Sequence, residues 1–560
     1  MYMIFGEKTL PLHKVNLIKM TRNSFRNAAC KAMAACIALS ACLPAMAQNP
    51  YLPLWEYIPD GEPYVFEDPD KPGHQRVYIY GSHDSRKTEY CGLEQVVWSA
   101  PVDNLTDWRY DGIIFRSATN RDGQLLHPDG SSDVLFAPDV TEVVDKEGRK
   151  TYYLYPNNQS GGRQGMVAKS ARPDGPFEVC NWSTTNPDET EGVLRFDPAV
   201  FVDDDGKVYG YWGFETSYAA ELDPSTMATV KPGTEIVEYM VPGRYQDNKY
   251  KFFEASSIRK IKDKYVFIYS RFTADGEFGL PTSNNTLAYA YSDNPLGPYT
   301  YGGTIIDGRA RGKDENGNVI PTAYPGGNTH GSICEIDGKW WVFYHRHTGT
   351  TEYARQAMVA PIEVKVEEGP GGKVYISEGE YNSEGFSTGG LDPRAKIPAG
   401  IACYFVGPEI ATSSFPNFNF SGSYVKSTYF NPESYEGPFN QKIPFDPVVN
   451  NTSGSTVGYK YLDFSKLSCD QPVEFICHVV PEGTEGKITL LLGSPYKSQG
   501  AKEIGSFTID TDMPREMTEI RTGVKGLTGV KGKQPLYLLF ESPVKGKSIC
   551  ELHDFRFVQK

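Results

Sequence analysis

The chain has little cysteine, few histidines, no basic block and no sustained helical periodicity, and each shortage closes off a class of protein. Ten cysteines in 560 residues, with no CxxC pair and no metal-type spacing, argue against a zinc-stabilised or disulfide-scaffold fold. The seven beyond Ala47 (Cys91, Cys180, Cys334, Cys403, Cys469, Cys477 and Cys550) are expected mostly as buried small hydrophobes, with a disulfide in the last domain left open. A formal net charge of −14 without any Lys/Arg cluster argues against nucleic acid or an anionic membrane as partner, because nothing is available to neutralise phosphates. A neutral substrate fits better. Without 3.6-residue periodicity a helical protein is excluded, whereas 36 Tyr, 55 Gly and 40 Pro favour a turn-rich β protein. At this length one core is not enough, so two or more domains are expected.

The first 47 residues read as a targeting segment. "MTRNSFRNAACKAMAACIALSACLPAMAQNP" carries Arg22, Arg26 and Lys31, then an apolar run, then the small-residue site Ala45-Met46-Ala47, the order a signal peptide needs. The residues before Met20 are expected to be a misassigned upstream start. "LSAC", ending at Cys42, resembles a lipoprotein cleavage site. Export is expected on either route, to the periplasm, the exterior or a lipid-anchored outer surface.

What is abundant is repetition. An aromatic strand recurs as "RVYIYGSHD" from Arg76, "TYYLYPNNQ" from Thr151, "KVYGYWGFE" from Lys207, "KYVFIYSRF" from Lys264 and "KWWVFYHRH" from Lys339. Each follows a polar turn and another short apolar strand, which makes five hairpins. After several copies, segments such as "AKSARPDGPFEV" and "YSDNPLGPYTY" carry the chain outward through Pro/Gly turns. Strand, turn, strand and an outer hairpin is the layout of a propeller blade.

The hairpins open on "EPYVF" at Glu62, "APDV" at Ala137, "DPAVF" at Asp197, "EASSI" at Glu254 and "HGSI" at His330. Strand interiors normally exclude charge, yet three of these five heads are acids and a fourth is histidine. As independent caps they would have no reason to share a register. As the innermost strands of five blades they would ring one axial pocket.

These motifs, with "FFEASSIRKIKDKYVFIYS", "LFAPDV" and "NTHGSICEIDGKWWVFYHR", resemble glycoside hydrolase family 43 over about residues 50–380. The resemblance implies a five-bladed β-propeller, expected over residues 50–385, acting on arabinose- or xylose-containing glycans or related galactans. It also implies three site residues: Glu62 as general base, Asp197 as the acid that tunes the proton donor, and Glu254 as general acid. The chemistry suits those types, since glycoside hydrolysis needs one carboxyl protonated beside the leaving oxygen and another ionised to activate water. The family pattern has aspartate as base; this chain has the longer Glu62, with Asp60 and Asp84 as alternatives. The resemblance further implies that His330 helps hold a hydrated calcium ion, mostly through waters and carbonyls; no cofactor is otherwise required. His83, His345 and His347 are expected either at the pocket or on the blade surface, and Trp98, Trp108, Trp212, Trp340 and Trp341 mostly in the core.

Beyond "NSEGFSTGGLDPRAKIPAG" the character changes to strands such as "VEFICHVV", "KITLLLG" and "PLYLLFES", read as a β-sandwich over residues 395–560. Its closing stretch weakly resembles family 6 carbohydrate-binding modules. All seven tryptophans lie before residue 342, so a sugar-binding face there would rely on tyrosines such as Tyr404, Tyr424 or Tyr459. The expected whole is all-β: a five-bladed β-propeller followed by a β-sandwich. Its expected activity is an exported, inverting glycosidase releasing arabinofuranosyl or xylosyl units from a carbohydrate substrate, with no nucleic-acid partner and no membrane span in the mature chain. Two rival readings are an exo-acting β-1,3-galactanase of the same fold and a propeller that binds glycan without cleaving it.

Overall fold

The computed structural model describes residues 48–86, 88–127, 133–427, 446–468 and 471–559; the targeting segment expected at 1–47 and Cys469 lie outside them. The all-β class expected from the sequence holds: among the described residues the only helical turns are three-residue 3-10 segments. Sheet one is β1 (Glu62–Glu67), β2 (Gln75–Tyr80), β3 (Glu94–Pro101) and β4 (Arg109–Arg116), and sheet two is β5 (Asp139–Val144), β6 (Lys150–Tyr155), β7 (Ala168–Ser170) and β8 (Glu178–Val179). Sheet three is β9 (Ala199–Val202), β10 (Val208–Trp212), β11 (Tyr218–Leu222) and β12 (Val237–Glu238), and sheet four is β13 (Phe252–Ile261), β14 (Lys264–Arg271), β15 (Thr286–Ser292) and β16 (Thr300–Asp307). After the small ribbon β17–β18 (Gly312–Lys313 and Val319–Ile320), sheet five is β19 (Ser332–Ile336), β20 (Lys339–His347) and β21 (Arg355–Ile362). All are antiparallel meanders in chain order.

The aromatic strands are the second strands, and their composition follows from burial on both faces. In β2, Val77 and Ile79 join one core with Phe343 and Val359 of sheet five, while Tyr78 and Tyr80 join another with Tyr152 and Leu154 of sheet two. Further cores lie between sheets two and three (Tyr155, Trp212), three and four (Tyr211, Phe267), and four and five (Ile268, Tyr344). Five sheets with five cores between neighbours, the fifth meeting the first, form a closed cycle. The first strands adjoin inside it: Tyr64 donates to Asp139 at 2.6 Å, Thr141 to Val200 O at 2.6 Å, and Ser257 and Ser332 hydroxyls meet at 2.7 Å.

The chain continues through β22–β23 (Val364–Val366 and Val374–Ile376) into two further sheets. One holds β24 (Ile397–Pro398), β28 (Tyr424–Val425), β29 (Val448–Val449), β31 (Val473–Pro481), β34 (Thr518–Val524) and β36 (Cys550–Gln559). The other holds β25 (Tyr404–Val406), β30 (Thr456–Asp463), β32 (Gly486–Leu492), β33 (Lys502–Ile509) and β35 (Lys533–Glu541). Phe475 and Phe555 of the first pack with Leu490 and Leu538 of the second in one core, as a sandwich requires. A ribbon, β26–β27 (Thr412–Ser414 and Asn417–Asn419), projects from it. Buried polar ties bind the sandwich to the cycle: Arg346 donates to the carbonyls of Gly400 and Ala402, and Tyr57 donates to Asp446 at 3.0 Å.

The cysteines of this last part that are described, Cys403, Cys477 and Cys550, are free and buried. Tyr404 and Tyr459 are buried in the sandwich, and Tyr424 is half-buried with its ring stacked on Phe420. Tyr459 faces the core between the two sheets, whereas Tyr404 packs on the opposite face of its sheet against Leu491 and Tyr537, so neither offers a free ring to a sugar.

Candidate active site

Register decides which acids share a position. Glu62 pairs with Tyr80 across β1–β2, and Ala199 pairs with Tyr211 across β9–β10. Counting back two residues from each gives Asp60 and Asp197. Both adopt left-handed backbone, φ 60° and 42°, a conformation that aspartate tolerates better than most residues but that still costs energy. His330 likewise stands two residues ahead of β19 and Ala137 two ahead of β5. In sheet four the ladder shifts register on both sides of Glu254, and Ala255 is left-handed at φ 68°. Such a bulge re-aims a side chain.

Asp60, Asp197, His330 and Glu254 come together. Asp197 is 5% exposed and accepts from Asn157 Nδ2 at 2.8 Å and from the Ala255 amide at 3.0 Å, so it joins the ends of three neighbouring sheets instead of capping its own strand. His330 Nδ1 lies 3.8 Å from Asp197 Oδ2 and 3.9 Å from Asp60 Oδ1. Asp60, buried, accepts from Ser82 at 2.6 Å, and Arg355 Nη1 reaches both its oxygens, at 3.0 and 3.2 Å. His345 Nδ1 stands 3.2 Å from the same carboxylate. Glu254 keeps partial exposure, and among the described residues no side chain or amide donates to its carboxyl.

The electrostatics separate the two carboxyls. Burial alone would raise Asp60, but the Arg355 guanidinium, helped by His345 and His330, outweighs it and holds the carboxyl ionised well below the usual carboxylate range. Glu254 is pushed far the other way, first by burial, then by the negative charges of Asp197 and Asp60, with Arg355 opposing weakly. Asp197 is itself raised by burial, against the pull of His330. Burial lowers His345, favouring its neutral form, with Asp60 opposing. Asp60 is biased toward the charged form and Glu254 toward the protonated one.

Glu62, expected as the base, has different company. It is 1% exposed, and Arg259 Nη2 sits 2.7 Å from its Oε2. The Arg259 guanidinium also lies over the Tyr64 ring at 4.6 Å, and Tyr64 donates to Asp139. Asp139, raised to about 7 by burial and then by the Glu62 charge, belongs to this second cluster. It is Asp60, not Glu62, whose charge acts on Glu254. Asp84, the other alternative, is taken by Arg355 Nη2 and Nε, both at 2.9 Å.

His83 is buried against Glu56 at 3.1 Å, and His347 packs its ring on Phe418. Trp98, Trp212 and Trp341 are core; Trp108 and Trp340 are half-buried. Arg355, Ser82 and Asn157 were not legible as site residues: Ser82 and Asn157 end two of the aromatic repeats without standing at the shared strand-head position, and Arg355 lies in no repeat. The one available signal was that a buried carboxylate needs a cationic partner. A calcium ion coordinated directly by side chains does not fit: among the described residues no group of three or more His, Cys, Asp or Glu could hold a metal, and the carboxylates beside His330 already accept from Arg355, Asn157 and the Ala255 amide. No described helix is long and apolar enough to cross a membrane.

The chain is similar to known proteins. The model of "Glycosyl hydrolases family 43" matches residues 71–370. A "Xylosidase/arabinosidase" of Thermoclostridium stercorarium is 36% identical over 74% of this chain and 82% of its own length. "Xylosidase/arabinosidase 43A" of Humicola insolens is 29% identical over 52% of this chain and 88% of its own. Among solved structures, the family 43 arabinoxylan arabinofuranohydrolase of Bacillus subtilis in complex with cellotetraose aligns with a TM-score of 0.43 at 20% identity, covering 92% of this chain and 98% of that one. With an oppositely biased carboxyl pair and a family match over more than half its length, the chain belongs to glycosyl hydrolase family 43 and is a glycosidase that hydrolyses O-glycosyl bonds.

Proposed function

We propose that the five sheets form a five-bladed propeller whose channel mouth releases terminal arabinofuranosyl or xylosyl units from plant-type polysaccharides or oligosaccharides, with inversion at the anomeric carbon. The observation that carries this is the gathering of Asp60, gripped by Arg355 and Ser82, with Asp197 and His330 beside a Glu254 that no protein donor reaches, an arrangement that favours charge on Asp60 and a proton on Glu254. Relatives named xylosidase/arabinosidase support the sugar class.

In this reading Glu254 gives its proton to the departing glycosidic oxygen, while Asp60 takes a proton from the water attacking the opposite face of the sugar. Arg355 keeps Asp60 charged throughout the working range, at some cost in basicity. Asp197 sustains the Glu254 proton through its charge and, through the Ala255 amide, fixes the backbone beside the acid. No step is routed through a metal ion. His330 instead supplies a polar bridge between Asp60 and Asp197. The binding-only reading drew its support from a glutamate in place of the usual aspartate base; Asp60 removes that support. We further propose export of the mature chain, on the strength of the leader.

The test is incubation of the purified protein with arabinan, arabinoxylan, xylan and β-1,3-galactan, with released sugars identified and their first-formed anomer read by NMR. Free arabinose or xylose of inverted configuration is expected. Galactose alone, or the retained anomer, overturns the reading.

A further inference from the structure

The C-terminal domain reaches the catalytic end of the cycle. Asp60, Asp197 and His330 precede first strands, so the loops joining second to third strands open on that same end. Two of these, residues 81–93 and 348–354, carry the ribbon β26–β27. Phe418 N donates to Thr350 O at 2.8 Å, and Glu352 N to Pro416 O at 3.0 Å. Phe418 faces inward against His347 and Tyr324. Phe415, in the two-residue turn, faces outward and is 69% exposed.

A phenyl ring left in water gains nothing from burial. Its neighbour is informative: the Phe415 ring lies 6.4 Å from Tyr90. Tyr90 is fixed on every side. Its hydroxyl donates to Glu352 and accepts from Asn328 Nδ2 at 3.1 Å, and its ring meets Tyr353 edge-on at 5.0 Å. The Arg355 guanidinium sits over the same ring at 4.8 Å. Phe415 is therefore one ring away from the Arg355–Asp60 pair, on a rigid mount, with a free face.

We infer that Phe415 is a sugar-stacking residue for the unit on the leaving-group side of the scissile bond, so that the C-terminal domain completes the substrate site of the propeller. A sugar ring presents C–H groups on one face, and an exposed aromatic ring is the side chain suited to cover them. The unit being released sits among Asp60, Asp197 and Glu254; only the unit beyond it extends to the rim. This inference rests on the glycosidase reading above.

The test compares wild type, Phe415→Ala and Phe415→Tyr on an arabinoxylo-oligosaccharide and on the matching glycosyl fluoride, whose leaving group has no ring to stack. Phe415→Ala is expected to raise KM for the oligosaccharide about five- to tenfold, the size of one lost aromatic contact, with kcat and the fluoride rate unchanged. Phe415→Tyr restores the wild-type KM. Equal loss on both substrates, or on neither, overturns the inference while leaving the glycosidase reading intact. A wild-type protein inactive on both overturns that reading and this inference with it.

Discussion

Asp60 and Glu62 stand two residues apart at the entry to the same strand, and the comparison between their surroundings separates catalysis from architecture. Around Asp60 the polar groups are arranged unevenly: Arg355, Ser82 and His345 converge on one carboxylate, while the nearby Glu254 is left without a protein donor. Around Glu62 the charge is answered locally by Arg259, which also ties β13 to β1. A buried ion pair of this second kind fixes which strands meet. The first kind holds two carboxyls in opposite protonation states, which costs stability and is retained where chemistry needs it.

The largest expected effect short of removing the base is on the acid. Glu254→Gln should lower turnover of natural glycosides about 10²- to 10⁴-fold, the usual contribution of a positioned proton donor, while aryl glycosides with good leaving groups lose far less. Equal loss on both classes would break the comparison by making Glu254 structural too. Next, Asp197→Asn removes a negative charge that raises the Glu254 pKa, so that pKa falls and the alkaline limb of the pH–rate profile moves toward acid; turnover at neutral pH should drop about tenfold. An unmoved limb would show that Asp197 acts through backbone geometry alone.

Arg355→Lys sharpens the other half. Arg355 is the main group lowering Asp60, so weakening it raises the Asp60 pKa, and the acid limb should move up toward neutrality with a severalfold loss at pH 5. The smallest catalytic effect belongs to Glu62→Gln. It should leave turnover per folded molecule within about twofold while lowering stability to denaturant by about 1–3 kcal/mol through the weakened Arg259 pairing. A rate loss as large as that of Glu254→Gln would erase the distinction between the clusters.

Much of the fold was legible because burial on both faces leaves a strong mark: the five aromatic runs are the five second strands, whose alternate residues fill the cores on either side. That Asp197 and Glu254 would lie close together was legible because each stands near the start of a first strand in a motif of its own. The proposed reading moves the base from Glu62 to Asp60, because matching "EPYVF" to "DPAVF" as dipeptides set Glu62, not Asp60, beside Asp197. Counting back from the aromatic partners, Tyr80 and Tyr211, would have aligned Asp60 with Asp197. Strand register is a pairing property, and proline after an acid does not report it. Arg355 and Asn157 were not legible for a similar reason: their roles exist only once distant sheets are brought together. Phe415 was hidden by its setting, a hydrophobic residue inside a polar turn of a domain read as separate.

The most direct test of the account is azide rescue of Asp60→Asn beside Glu62→Gln, measured on an activated aryl glycoside. Asp60→Asn should lose about 10²- to 10⁴-fold in turnover and regain part of it with azide, which attacks without needing a base and yields a glycosyl azide of inverted configuration. Glu62→Gln should be active without azide and unchanged by it. Near-normal turnover in Asp60→Asn, with loss and rescue in Glu62→Gln, would contradict the account.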